Sequence, residues 1–362
     1  MSVDKVNISN FFYALFGITA IASLYNMPIF ITMLIVFIAG LYSIHRFYKI
    51  YSVVREKRSF LNSENFCRFE HRELEKWVLE NHKGHESVVK DFFRLLIQKR
   101  KLFNGDRPLV SAMFSGPTGT GKTYLAELIS ETIYKNKKPF DINMGRFKSP
   151  TDGEKLCEMI INHAAINSPC LFILNEIDKC HPEVLHSLYS MFDTGLLYHS
   201  KKHTKFDLSY CSFIATSNYG VSDLNNLISR YGRLPSRGDI LDVLSNEGKF
   251  EKPLVARFDA QYILPSLQNI SLAEVVLIEC CKYWQTYGIE VEYLGAELIL
   301  KIITKNDKYE EYGVRELERI VKETMDPVVL SAIRKSAKRI KLYADKRGKI
   351  KAKTFLGRSN AA

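Results

Sequence analysis

Eight consecutive residues, Gly116, Pro117, Thr118, Gly119, Thr120, Gly121, Lys122 and Thr123, follow the apolar run 109–114 and open a helical pattern over 123–134. Strand, glycine loop and helix in that order are the setting of a phosphate-binding loop. Glycines let successive backbone N–H groups curl around the β- and γ-phosphates of a nucleotide, and the following helix points the positive end of its dipole at the same anion. In such a loop Lys122 bridges the phosphates as a point charge and the Thr123 hydroxyl binds Mg²⁺. Further along, apolar runs at 140–143, 170–174, 211–216 and 262–264 alternate with helical patterns. The alternation predicts an α/β fold, a parallel sheet covered by helices.

The run 170–174 continues into Asn175, Glu176, Ile177 and Asp178. A buried strand that ends in polar side chains opposite a phosphate loop delivers them to the metal and to the attacking water. Glu176 is the candidate for orienting and deprotonating that water. Asn175 is, with Thr123, the candidate metal residue: it accepts a hydrogen bond from a Mg²⁺-bound water but adds no negative charge, so weaker Mg²⁺ binding is expected.

Between Ile8 and Ile44 no side chain is charged, and Tyr25-Asn26-Met27-Pro28 splits the stretch into two apolar runs. At about 18 residues, each run just reaches the length that crosses a bilayer. A transmembrane helical hairpin is the favoured reading. One long tilted span, a cleaved signal peptide and a buried hairpin of a soluble core are the alternatives. Arg46, Lys49, Arg55, Lys57 and Arg58 follow. Basic residues beside a span stay on the cytoplasmic side, so the expectation is a membrane protein of two passes, or one, with its bulk in the cytosol.

The net charge of +11 is local: beside that cluster, eleven Lys and Arg lie between Arg334 and Arg358 against the single Asp345. Within this tail Ile340, Leu342, Ile350 and Ala352 alternate with charges over 339–344 and 349–354, joined by Asp345-Lys346-Arg347-Gly348. That pattern predicts a half-buried β-hairpin with a solvated basic face before it predicts a contact with nucleic acid or acidic lipid. Residues 59–108 are helical in pattern, with Leu74, Trp77 and Val78 on one face, Val88, Val89, Phe92, Phe93 and Leu96 on another, and Gly84 between the two helices. Seven scattered cysteines show no CxxC spacing, which indicates neither a disulfide framework nor a zinc site. His82 with His85, and His181 with His186, lack the companions of a metal pattern and are expected to be exposed.

From about Leu74 to the end, the chain resembles a single ATPase module of the AAA+ superfamily, and within it the Clp unfoldase clade, which includes the torsins. The pieces that carry the resemblance are LEKWVLENHKGHESVV, GPTGTGKT, LFILNEIDKCHPEVLHSLYSMFDTGLL, FIATSNYG, FEKPLVARFD and YGVREL, in that order. The resemblance implies ATP and Mg²⁺ as cofactors and a P-loop AAA+ parallel sheet followed by a small, mainly helical lid domain ending in the β-hairpin. The domains are then 1–58 (membrane hairpin and linker), 59–265 (nucleotide-binding) and 266–362 (lid). It implies roles as well. Asn218, in TSN, matches the first sensor, which positions the attacking water. Arg257, in VARFD, matches the finger that a subunit inserts into its neighbour's nucleotide site. Arg315, in GVREL, matches the second sensor, which reports the γ-phosphate to the lid.

A finger acting in trans implies an oligomer, a ring of six or a related spiral, or a hetero-oligomer completed by partner subunits. Two departures qualify the resemblance. These ATPases usually carry Asp where this chain has Asn175, and the segment 144–154 is short and lacks a threading aromatic flanked by glycines; a buried or loop side chain is the favoured reading of Phe147, a pore aromatic the alternative. The leading expectation is a membrane-anchored Clp-type ATP hydrolase, slowed by Asn175, that remodels or disassembles a protein client or complex at a lipid bilayer. The alternative is a nucleotide-gated scaffold that scarcely hydrolyses. A nucleic-acid motor, motivated by the basic tail alone, comes third.

Overall fold

Strands that are apolar on both faces must pair edge to edge between layers of helix. In the computed structural model they do so; it describes residues 38, 40–42, 44, 45, 71–135, 137–199, 203–231, 237–245, 250–267, 269–305, 313–344 and 349–356. Helices α1 (His71–Asn81) and α2 (Glu86–Lys101) precede strand β1 (Val110–Ser115), which leads through the glycine loop into α3 (Lys122–Ile133). Then come β2 (Phe140–Asn143), α4 (Gly153–Asn167), β3 (Leu171–Asn175) and two short helices, α5 (Pro182–His186) and α6 (Tyr189–Thr194). A small hairpin, β4 (Leu196–His199) and β5 (Thr204–Asp207), precedes β6 (Ser212–Ser217). Helices α7 (Val221–Tyr231), α8 (Arg237–Ser245) and α9 (Lys252–Arg257) bring the chain to β7 (Ala260–Ile263). The remainder is α10 (Asn269–Gln285), β8 (Glu290–Leu294), α11 (Ala296–Thr304), α12 (Val314–Arg334), β9 (Arg339–Ala344) and β10 (Ile350–Phe355).

The five parallel strands run in the order β2-β3-β6-β1-β7, so β6 separates the strand of the glycine loop from the strand of Asn175. The four strands expected beyond the loop are present, the first with its expected ends and the other three with ends shifted by one or two residues, the usual uncertainty of strand ends. Along β1, Met113 packs into one apolar layer while Val110, Ala112 and Phe114 pack into the other. Buried Asp259 fastens β7 to β1: its carboxylate accepts from the Ser111 N–H at 2.9 Å and the Ser111 hydroxyl at 3.1 Å, and pairs with Lys99 of α2.

After β7 a third apolar cluster forms around fully buried Trp284, with α10, α11 and α12 packed on a three-stranded sheet. The expected hairpin is there: β10 runs antiparallel to β9, with Ile340 and Leu342 buried and Lys351 and Lys353 exposed. Strand β8, which adds parallel to β9, and the β4–β5 hairpin were not expected from the sequence.

Two expectations are corrected. Trp77 is 39% exposed rather than joined to the core face of α1, while His82 and His85, expected to be exposed, are buried at 4% and 3%. Phe147 is buried in the core, the favoured of its readings, so its ring is not free to line a pore. No helix of the described residues is long and apolar enough to cross a membrane. The predicted membrane hairpin at 8–44, apart from six helical residues between 38 and 45, lies outside the described residues, as do the basic cluster at 46–58 and the turn 345–348.

Candidate functional site

In an open parallel sheet, ligands bind beyond the carboxyl ends of the strands. The ends of β1, β3 and β6 meet there because their registers are matched: Ser115 lies beside Ser217 and Leu174 beside Ala215. One step past that last pair, the Thr216 hydroxyl donates to Asn175 Oδ1 at 2.6 Å and accepts from the Glu176 N–H at 3.0 Å. The Thr123 hydroxyl, at the start of α3, donates to the same Asn175 oxygen at 3.3 Å. Loop, acidic strand end and sensor strand are thus tied through one amide oxygen.

The loop has the conformation its glycines permit. Gly121 caps α3 at φ 86, in the left-handed region where a side chain is strained. A Cβ on Gly116 would lie 2.2 Å from the Leu264 carbonyl oxygen, so only glycine fits where the loop crosses the end of β7. Lys122 is buried, and its ammonium donates to the Gly116 and Pro117 carbonyls at 2.7 and 2.6 Å. Burial lowers its pKa to about 8, against the opposing pull of Asp178 and Glu176. Glu176 stands at φ 56, a left-handed residue that is not glycine, and its carboxylate pairs with Lys179 at 2.9 Å. Such strain at a strand end is common where a reactive group is held in position.

A cleft of about 350 Å³ opens over these groups. Its floor is the loop from Thr118 to Thr123 with Asn175, Glu176, Thr216 and Asn218; its far wall is Lys282 of α10 and Arg315 of α12. The Lys282 ammonium sits 4.1 Å above the Tyr124 ring, which ties α10 to α3 across the opening. The Asn218 N–H donates to Asp178 Oδ1 at 3.2 Å, so the second acid of the strand end holds the sensor loop.

At the other end of the cleft stands His82. It packs against the loop, where its Nε2 would lie 3.0 Å from a Cβ on Gly121; it lies 5.3 Å from the His85 ring and has its pKa lowered to about 3, by burial first and then by His85. His85 Nε2 donates to the Pro265 carbonyl at 2.9 Å, and burial lowers its pKa as well.

Of the residues singled out from sequence, the cleft brings together Thr118 through Thr123, Asn175, Glu176, Asn218 and Arg315. Gly116 and Pro117 lie behind it, turned to Lys122. Arg257 is outside the cleft: its Nε donates to Asp193 at 2.9 Å, one terminal nitrogen donates to the Pro253 carbonyl at 2.7 Å, and the guanidinium covers the Tyr189 ring at 4.1 Å. Sequence reasoning passed over Thr216, Asp178, His82 and Lys282. The first two sit within two residues of positions it did choose, where alternation along β6 and the second acid of the strand end would have pointed to them.

The donor set fits the groups expected here. The Thr123 hydroxyl and Asn175 oxygen converge as hard oxygen ligands, Lys122 supplies a buried cation, and the loop is a glycine cradle that added side chains would fill.

Residues 107–269 match the family model of the AAA domain (Cdc48 subfamily). That segment is similar to an AAA domain. It contains the loop, Asn175, Glu176, Asn218 and Arg257; Arg315 and Lys282 come from beyond it. Chaperone protein ClpB of Brucella melitensis is 26% identical over 246 residues, 62% of this chain and 27% of that protein. Chloroplastic chaperone protein ClpC1 of Arabidopsis thaliana is 28% identical over 264 residues, 67% of this chain and 26% of that protein. The chain therefore spans about a quarter of the length of these relatives. The fold is like that of the S. cerevisiae Hsp104-ADP complex, with a TM-score of 0.66 at 18% identity, covering 78% of this chain and 53% of that one.

Proposed function

We propose that the protein binds ATP with Mg²⁺ in this cleft and couples binding and hydrolysis to the remodelling of a protein client or complex. The observation that carries the reading is the convergence of Lys122, Thr123, Asn175, Glu176, Asn218 and Arg315 on one opening between the sheet and the C-terminal helices. Relatives named as chaperones, ClpB and ClpC1, support the remodelling role.

Each residue has a task. Backbone N–H groups of 118–122 and the Lys122 ammonium hold the phosphates. Thr123 and Asn175 hold Mg²⁺, which when bound offsets the charge of the phosphate oxygens. Glu176 takes the proton of the attacking water, and Asn218, fixed by Asp178, orients it. Arg315 carries the state of the γ-phosphate to α12. Arg257, outside its own cleft, serves the site of an adjoining subunit, which makes the working form a ring, a spiral or a hetero-oligomer. The two uncharged stretches of 8–44 and the basic residues after them support a membrane anchor with the ATPase on the cytosolic side. The separate apolar cluster that follows β7 supports a division into 59–265 and 266–362 as nucleotide-binding and lid domains.

The full chain, solubilised in detergent, is expected to bind ATP. Lys122→Ala loses that binding, and Glu176→Gln holds ATP without turnover. A wild-type chain that binds no nucleotide overturns the reading. Asn175 favours a second reading, a nucleotide-gated scaffold; intact ATP binding with no steady-state turnover in the assembled protein selects it, and measurable turnover removes it.

A further inference from the structure

The backbone around Arg257 is held from two sides. Arg237 of α8 donates to the Phe258 carbonyl at 3.0 Å, and buried Gln261 of β7 donates to the Val255 carbonyl at 2.6 Å. What is left to turn is the arginine side chain, and α6 takes up that freedom. Tyr189 and Asp193, four residues apart, share one face of this helix. The guanidinium lies 4.1 Å above the Tyr189 ring, and its Nε donates to Asp193 Oδ2 at 2.9 Å. Nη1 turns back to the Pro253 carbonyl, 2.7 Å away on its own helix. Among the described residues Nη2 has no hydrogen-bond partner. Of the three nitrogens Nε is nearest the backbone, so a carboxylate bound there sets the plane of the group and leaves Nη2 to an acceptor from outside the chain. An ion pair that withdrew the charge would instead grip the two outer nitrogens together.

We infer that Asp193 is the positioning residue of Arg257: with the Tyr189 ring it holds the guanidinium in one plane and one direction, so that the arginine meets the γ-phosphate of an adjoining subunit already aimed. A long cationic side chain has many rotamers. One that must find its place at the moment of reaction stabilises the transition state less than one placed beforehand. Asp193 therefore acts on a site that it does not touch, through an arginine that its own chain does not use.

The assignment rests on the reading of Arg257 as acting in trans, and mixed assemblies of the full chain in detergent test the two separately. The Asp193 side chain is 40% exposed, so its replacement leaves the fold intact. Asp193→Ala is expected to keep ATP affinity within about twofold and to lower turnover between about 10- and 100-fold, the cost of a reacting group displaced by about an ångström. Asp193→Glu, which keeps the carboxylate, recovers part of that rate. In a mixture of Glu176→Gln and Arg257→Ala chains, the first supplies the arginine and the second the glutamate. Asp193→Ala added to the first chain is expected to cut the turnover of the mixture by the same factor. Added to the second, which has no arginine to aim, it brings no further loss. A role in folding or assembly would cost both mixtures alike. Equal losses in the two mixtures, unchanged turnover in Asp193→Ala, or a rise in it, which would make the carboxylate a restraint on the arginine, each overturn the inference while the trans reading stands. A parent mixture that regains no turnover overturns the trans reading and the inference with it.

Discussion

The Val314 N–H donates to the Gly119 carbonyl at 2.9 Å, so the first residue of α12 is bonded to the phosphate loop itself. The residue before it, Gly313, has φ 61, and a Cβ there would lie 2.5 Å from Gly119 Cα. Two backbones touch where no side chain fits, and Arg315 enters the cleft one residue past the contact. Gly313→Ala is therefore expected to push α12 off the loop. Strain of this kind costs about 1–3 kcal/mol, and urea unfolding should show a loss in that range together with weaker ATP binding. Wild-type stability and affinity in the variant would mean that the contact holds nothing together.

Lys122 makes nucleotide affinity depend on pH in a defined direction. With its pKa lowered to about 8 by burial, the lysine of the free site loses its proton as the pH rises through 8, whereas a bound phosphate favours the charged form. Binding then takes up a proton. ATP affinity should be flat near pH 7 and fall by up to about tenfold per pH unit above 8. Calorimetry in two buffers of different ionisation enthalpy gives the number of protons taken up. A value of zero at pH 9 would contradict the assignment.

His82 acts on folding at the opposite end of the scale. Its pKa is about 3 in the folded chain against 6.5 ordinarily, and His85 is shifted the same way. Below pH 6.5 the unfolded chain takes up protons that the folded chain does not, so stability falls with falling pH, until about pH 3 for His82. The slope is at most about 1.4 kcal/mol per pH unit from this histidine. Urea unfolding at pH 7.5 and 5.5 is expected to show the loss, and His82→Gln, which removes the titrating ring, should lessen it. An equal loss in the variant would assign the acid sensitivity elsewhere.

These cases mark what the sequence discloses. The phosphate loop, the strands and the acid at 176 were legible because each joins a continuous apolar run to polar residues at its carboxyl end, and both signals are local. His82 was misread because spacing shows which face of a helix a residue occupies but not what covers it. Here the covers are the glycine loop and, for His85, Pro265, 180 residues along the chain. Strands β4, β5 and β8 are four or five residues long, too short for alternation to rise above chance.

Arg257 bears the last prediction. Its guanidinium is held by Asp193, the Pro253 carbonyl and the Tyr189 ring, all of its own chain, and reaches no group of its own cleft. Tyr189 is in turn tied to Glu251, whose carboxylate also pairs with His186, so the arginine stands on a braced platform. An arginine that completes a neighbour's site should matter for turnover and not for binding. Arg257→Ala is expected to leave ATP affinity within about twofold and lower turnover by about 10³-fold, the smallest effect usual for a finger. Mixing supplies the decisive measurement. Arg257→Ala and Glu176→Gln chains are each inactive alone, but in one assembly an intact Arg257 from the second can serve an intact Glu176 in the first. Activity regained on mixing places the arginine in trans, and its absence in mixed assemblies of proven composition would confine Arg257 to its own chain.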